Sequence, residues 1–104
     1  MPQFMIAYHG GSKPSSKEEG AERVKRWKEW IGRLGDAVVN PGTPLPSSKV
    51  VTPDGVRDDN DPGSMHGFAV IKATSLDEAV RIAQSDPFLE NSGTIRVSQM
   101  MEMP

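Results

Sequence analysis

Two runs of apolar residues, Phe4-Met5-Ile6-Ala7-Tyr8 and Gly67-Phe68-Ala69-Val70-Ile71, put apolar side chains on both faces of any strand they form. A strand wetted on one side alternates apolar and polar residues, so an unbroken apolar run demands cover on both sides. The remainder of the chain carries patterns for only two helices, enough to cover one face of one sheet. The other face needs a second sheet, most economically that of an identical subunit. A homodimer is therefore expected.

The first strand pattern spans residues 3–8, and His9 to Pro14 reads as a loop from its glycine and proline content. Ser15 and Ser16 each have a glutamate three residues on, Glu18 and Glu19, the spacing of a capping box that satisfies free N–H groups in a first helical turn. Val24, Trp27, Ile31 and Leu34 then recur at helical spacing with Trp30 beside them, and Gly35 marks the stop. Residues 36–40 read as a second strand ending at Pro41-Gly42. Lys49 to Thr52 reads as a third, placed at an edge by Pro44, Pro46 and Pro53. Residues 54–65 are turn-rich and read as loop. Residues 67–73 form the fourth strand. Ser75 and Glu78 repeat the capping spacing before a second helix with an apolar stripe of Leu76, Ala79, Val80 and Ala83, which ends near Asp86-Pro87. Thr94 to Ser98 begins a fifth strand that runs on toward Met103.

The order β-α-β-β-β-α-β is close to the ferredoxin-like α+β pattern, in which two helices pack on one face of an antiparallel sheet. With 104 residues there is room for one domain, residues 1–104. A net charge of −2 with interspersed signs leaves no basic stripe for nucleic acid or a membrane surface. The absence of cysteine removes disulfides, thiolate metal sites and cysteine nucleophiles. No run approaches the ~18 apolar residues of a membrane span, and a strand pattern follows directly on Met1-Pro2-Gln3, so the expectation is a soluble, cytoplasmic chain.

The helix-two segment Leu76 to Phe88 with its Asp86-Pro87-Phe88 ending, the following strand Thr94 to Val97, the opening Met5-Ile6-Ala7-Tyr8, the Gly35 to Pro44 bend and the Gly67-Phe68 entry together resemble the YCII-related domain family. The resemblance covers essentially the whole chain. It implies a dimeric α+β barrel of ferredoxin-like subunits. Some relatives it implies are lyase- or isomerase-like, acting on small ring compounds with a histidine–aspartate pair. On that resemblance Asp86 is the family's aspartate, and the histidine position in helix one is filled by Arg23. Arginine stays protonated and makes a poor general base, so only the carboxylate of the pair carries over.

Asp86 is thus the candidate catalytic residue, as general acid or base or as a carboxylate that orients a ligand; the alternative is that it caps the turn it precedes. Arg23, His9, His66 and Trp27 make up the candidate ligand-binding set. A guanidinium facing a cleft favours an anion and would hold a nearby Asp86 ionised. His9 and His66 adjoin the ends of strands expected to be antiparallel neighbours, where their imidazoles would approach one another, although ordinary loop histidines are the competing reading. Trp27 and Trp30, three apart, cannot both point straight into the core, so one is expected on the sheet and one on a cleft wall or interface. Asp58 to Gly63 gathers hard oxygens but lacks the closing glutamate and flanking helices of a calcium loop, and Gly10 to Lys13 lacks the spacing of a phosphate loop. No metal site and no cofactor is expected. The function these residues point to is binding of a small organic molecule, an anionic one if Arg23 faces it, in a cleft between sheet and helices, with lyase- or isomerase-like chemistry at Asp86. A non-enzymatic ligand-binding or regulatory accessory protein is the alternative, and a purely structural dimer a third reading.

Overall fold

A computed structural model of the chain describes residues 1–103. The two apolar runs become the central strands of a four-stranded antiparallel sheet. These are β1 (Gln3–Gly10) and β5 (Met65–Lys72), flanked by β2 (Val38–Asn40) beside β5 and β6 (Gly93–Gln99) beside β1. The order β2-β5-β1-β6 is that of a ferredoxin-like fold. Between β2 and β5 is inserted a separate hairpin of β3 (Lys49–Thr52) and β4 (Gly55–Asp58).

Register assigns the faces. Phe4 lies opposite Ile71, Ile6 opposite Ala69 and Val97, and Tyr8 opposite Gly67 and Ile95. This face carries the core, in which Phe4, Ile6, Ala69 and Ile71 are fully buried and pack with Ala79 and Ala83 of α2 (Leu76–Gln84). Burial of each of the larger side chains is worth about 1.5–3 kcal/mol. The opposite face sets Met5 against Val70 and Ala7 against Phe68, with Arg96 and Ser98 alongside. Neither helix reaches it.

Each helix begins where the capping residues place it. Ser16 accepts the Glu19 N–H at 3.1 Å and Ser75 accepts the Glu78 N–H at 3.1 Å, while each glutamate reaches back to the residue before the cap. Of the two serines open to reading at the first helix, Ser16 is the cap of α1 (Lys17–Leu34), and Gly35 ends it at φ 55°.

The apolar stripe of α1 is less buried than its spacing implies. Val24 is 50% exposed, and among the α1 residues only Trp30, at 2%, is buried. The Trp30 indole N–H donates to Ser85 Oγ at 2.8 Å, which fastens α1 to the end of α2. Along its length α1 rests on the 3-10 turn Pro87–Asn91 more than on the sheet, with Arg26 paired to Glu90 of that turn. The gap left beneath it is the cavity described below.

Three other expectations are corrected. Residues 54–65 are not all loop, since β4 forms inside them: Val51 pairs with Val56 and Lys49 with Asp58 across a turn at Pro53-Asp54. Both valines are exposed, so no burial pattern marks the strand, and local turn bonds such as Asp54 N–H to Thr52 Oγ1 at 3.2 Å set it up. The last strand stops at Gln99 rather than running to Met103. His9 and His66 lie within β1 and β5, not in loops beside them. The radius of gyration is 14.9 Å, larger than the about 13 Å typical of this length.

Candidate functional site

A cavity of about 350 Å³ opens between the middle of α1, the sheet and the Pro87–Asn91 turn. Tyr8 and Gly67 form its floor, Trp27 and Val24 one wall, Thr43 and Pro44 another, and Phe88 a third. Arg23, Arg26, Lys28 and His66 also border it, and no carboxylate does.

Local chemistry fixes each wall. The Thr43-Pro44 segment reaches the sheet edge because Gly42, at φ 72°, crosses β5 so closely that a Cβ there would lie 1.7 Å from the Phe68 carbonyl oxygen. The segment is then held by a bridge between Pro44 and Gly67 and by the Leu45 N–H donating to the His66 carbonyl at 2.8 Å. Phe88 is seated over Gly93, where a Cβ would meet its ring at 2.1 Å. Its ring tilts against Tyr8 with centroids 4.9 Å apart.

The polar centre is a chain of three residues. Tyr8 Oη donates to Asp86 Oδ2 at 2.6 Å, the Phe88 N–H donates to Asp86 Oδ1 at 2.9 Å, and the Trp27 indole N–H approaches Tyr8 Oη at 3.4 Å. Asp86 is 2% exposed. Burial pushes its carboxyl above the ordinary carboxylate range, a shift only partly countered by the bonds from Tyr8 and Phe88. Burial also pushes the Tyr8 phenol up, reinforced by the Asp86 charge and hydrogen bond, so Tyr8 stays protonated across the ordinary pH range.

Asp86 caps the turn with one oxygen, as an aspartate before proline does, and holds Tyr8 with the other. It does not border the cavity itself; Tyr8 stands between. Arg23 borders the cavity but is not the partner of Asp86. Its guanidinium donates to the Ser12 carbonyl at 2.5 Å and pairs with Glu19 at 2.6 Å, which pins the Gly10–Pro14 loop to α1. Arg26 pairs with Glu90 at 2.7 Å, whereas Lys28 makes no ion pair among the described residues.

Trp27 lies on the cavity wall and Trp30 in the interior. His66 stands at the rim, its Nδ1 3.0 Å from the Gly10 carbonyl. His9 lies outside the cavity, with Nδ1 3.0 Å from the Gly63 carbonyl, and no hydrogen bond joins the two imidazoles among the described residues. In the Asp58–Gly63 stretch the carboxylates accept local N–H groups, Asp61 N–H to Asp59 at 3.2 Å and Gly63 N–H to Asp61 at 2.8 Å. No group of three or more histidine, aspartate or glutamate side chains suited to a metal ion occurs among the described residues.

The residue that sequence reasoning passed over is Tyr8. Its signal was a hydroxyl in the otherwise apolar series Phe4, Ile6, Tyr8: a phenol on a core-facing row needs a partner. The partner lies 78 residues away, which strand spacing alone does not reveal.

The sequence model of the YCII-related domain family matches residues 7–104. No curated protein sequence matches the chain. Among solved structures, 5-chloro-2-hydroxyhydroquinone dehydrochlorinase from Burkholderia phenoliruptrix, in complex with 2,5-dihydroxybenzoquinone, is similar over 97% of this chain and 95% of that one, with a TM-score of 0.62 and 18% identity. A likeness at that identity speaks for the fold. Matched over nearly its whole length, the chain belongs to the YCII-related domain family.

Proposed function

We propose that the chain acts as a cytoplasmic homodimer, two ferredoxin-like subunits closing an α+β barrel, and that each subunit's cavity takes a small planar organic anion. The observation that carries this reading is the composition of the cavity walls: Tyr8, Trp27 and Phe88 offer flat aromatic surface, no carboxylate is among the lining residues, and of the three cations there Arg23 and Arg26 are paired with Glu19 and Glu90 while Lys28 makes no ion pair among the described residues. A volume of about 350 Å³ falls at the lower end of small-ligand pockets and suits a single substituted ring. The dihydroxybenzoquinone in the structural neighbour is a molecule of that size and shape. Dimerisation is supported by the helix-free sheet face, where Met5 and Phe68 remain partly exposed apolar side chains that a partner would cover, beside Ala7 and Val70, which are already buried.

The chemistry such a site can support is proton transfer of the lyase or isomerase kind, with Asp86 acting through Tyr8. Its raised carboxyl is nearer to neutrality than an ordinary aspartate, as a general acid or base requires. A non-enzymatic ligand-binding protein is the second reading, favoured by the engagement of both Asp86 oxygens within the protein.

Thermal denaturation with monocyclic aromatic carboxylates and hydroxyquinones tests the binding. A rise in melting temperature is expected with these anions and not with benzamide, and Lys28→Ala or Arg23→His should reduce it. Equal effects of charged and neutral rings would refute the anion assignment. If a bound ring compound is also turned over, loss of that turnover in Asp86→Asn with the melting temperature retained would mark the site as an enzyme's.

A further inference from the structure

We propose that Tyr8 selects the occupant of the cavity by hydrogen-bond polarity: held by Asp86 as a donor, it meets the occupant as an acceptor, so the occupant is an aromatic anion that also bears a ring hydroxyl. The proposal rests on the anion-binding reading given above and adds the second polar requirement.

A phenol has one proton to give. That of Tyr8 is committed to Asp86 Oδ2 at 2.6 Å, within the ordinary range of an O–H···O bond. Asp86 cannot turn away to release it. Its other oxygen is fixed by the Phe88 N–H at 2.9 Å, the side chain follows directly on the end of α2, and with 2% exposure it has no solvent to exchange for Tyr8. What Oη has left is lone-pair density. Trp27 shares it at 3.4 Å, beyond the 2.7–3.2 Å of a good N–H···O bond, so the acceptor is only loosely used.

Both Tyr8 and Trp27 border the cavity; the cations there, Arg23, Arg26 and Lys28, can only donate, while Thr43, His66 and Asn91 carry groups able to donate or accept. The lining therefore asks two things of one ligand, acceptor atoms carrying negative charge for the cations and a hydroxyl hydrogen for Tyr8. A ring with a carbonyl or ether oxygen at Tyr8 would set acceptor against acceptor at a side chain that is only 6% exposed. Asp86 acts on the ligand only through Tyr8 and is a positioning residue.

Matched pairs of hydroxybenzoates and fluorobenzoates, substituted at the same ring position, separate the two requirements, because fluorine occupies nearly the space of a hydroxyl but donates nothing. By calorimetry on the intact protein, the best hydroxybenzoate is expected to bind roughly tenfold or more tightly than its fluoro counterpart, the size of one buried hydrogen bond left unmade. Tyr8→Phe should bring that ratio close to one while leaving the fluoro compound's affinity within a few-fold, and Asp86→Asn, which frees Tyr8 to reorient, should lower it. Equal affinities within each pair on the wild-type protein would overturn the role of Tyr8 and leave the anion site standing. A ratio retained in folded Tyr8→Phe would overturn it too. If no benzoate binds at all, both the anion reading and this one fall. The wild-type ratio needs no variant, so it decides even where Tyr8→Phe does not fold.

Discussion

Gly93→Ala tests how the cavity wall is seated. A methyl group built at Gly93 lies 2.1 Å from Phe88 Cε2 and within 2.7 Å of two further ring carbons, so the ring must leave its place. Its movement forfeits the tilted contact with Tyr8, worth about 0.5–1.5 kcal/mol, and adds overpacking strain of about 1–3 kcal/mol. The expected loss is therefore roughly 1.5–4.5 kcal/mol, and at ~4–5 °C per kcal/mol, from an unfolding entropy of about 2.1 cal/mol/K per residue, the melting temperature should fall by about 6–23 °C. Thermal denaturation of the four proteins of a double-mutant cycle with Phe88→Ala gives the decisive number. Phe88→Ala destabilises on its own, but in that background Gly93→Ala should cost well under 1 kcal/mol, because the ring it collides with is gone. A Gly93→Ala protein melting within a degree or two of the wild type, or a cost unchanged by removing the ring, would refute the account of how Phe88 is held.

Asp86→Asn should change the pH dependence of stability in a defined sense. Because the folded-state carboxyl is raised, the folded protein holds its proton more tightly than the unfolded chain, and the wild type loses stability as pH rises from about 4 through that raised value. The variant lacks this loss, so denaturant unfolding should find its stability relative to wild type higher at pH 7 than at pH 4; an unchanged difference would contradict the burial shift. Met5→Asp, on the helix-free face, should convert a dimer of twice the chain mass into monomer or aggregate by light scattering, and a wild type that is monomeric at micromolar concentration would refute the dimer. Ser75→Ala removes the oxygen that accepts the Glu78 N–H and should cost about 1 kcal/mol by denaturant unfolding, with no effect on ligand affinity.

What the sequence discloses here follows from the range of the interaction. The two-faced runs of β1 and β5 and the caps at Ser16 and Ser75 are local patterns, written within a few residues, and they are legible. The turn-capping role of Asp86 is legible for the same reason, since Phe88 is two residues on. The Tyr8–Asp86 bond is not, because it exists only once β1 and the end of α2 are packed together. The cavity beneath the middle of α1 hides behind an apolar stripe that periodicity alone assigns to a core, although Val24 and Trp27 border it. For β4 the obstacle is the reverse: a strand open to solvent on every residue carries no burial code to read.

The division of labour between the two tryptophans gives the protein a built-in optical probe. Trp30 is sealed in an interior that ligands do not touch, and Trp27 faces the space they would fill, so the chain's two indoles differ in what can quench them. Acrylamide should reach Trp27 first, and an aromatic occupant should shield it while leaving the emission of Trp30 constant. Occupancy can then be followed by fluorescence on the unlabelled protein, with Trp27→Phe as the blank.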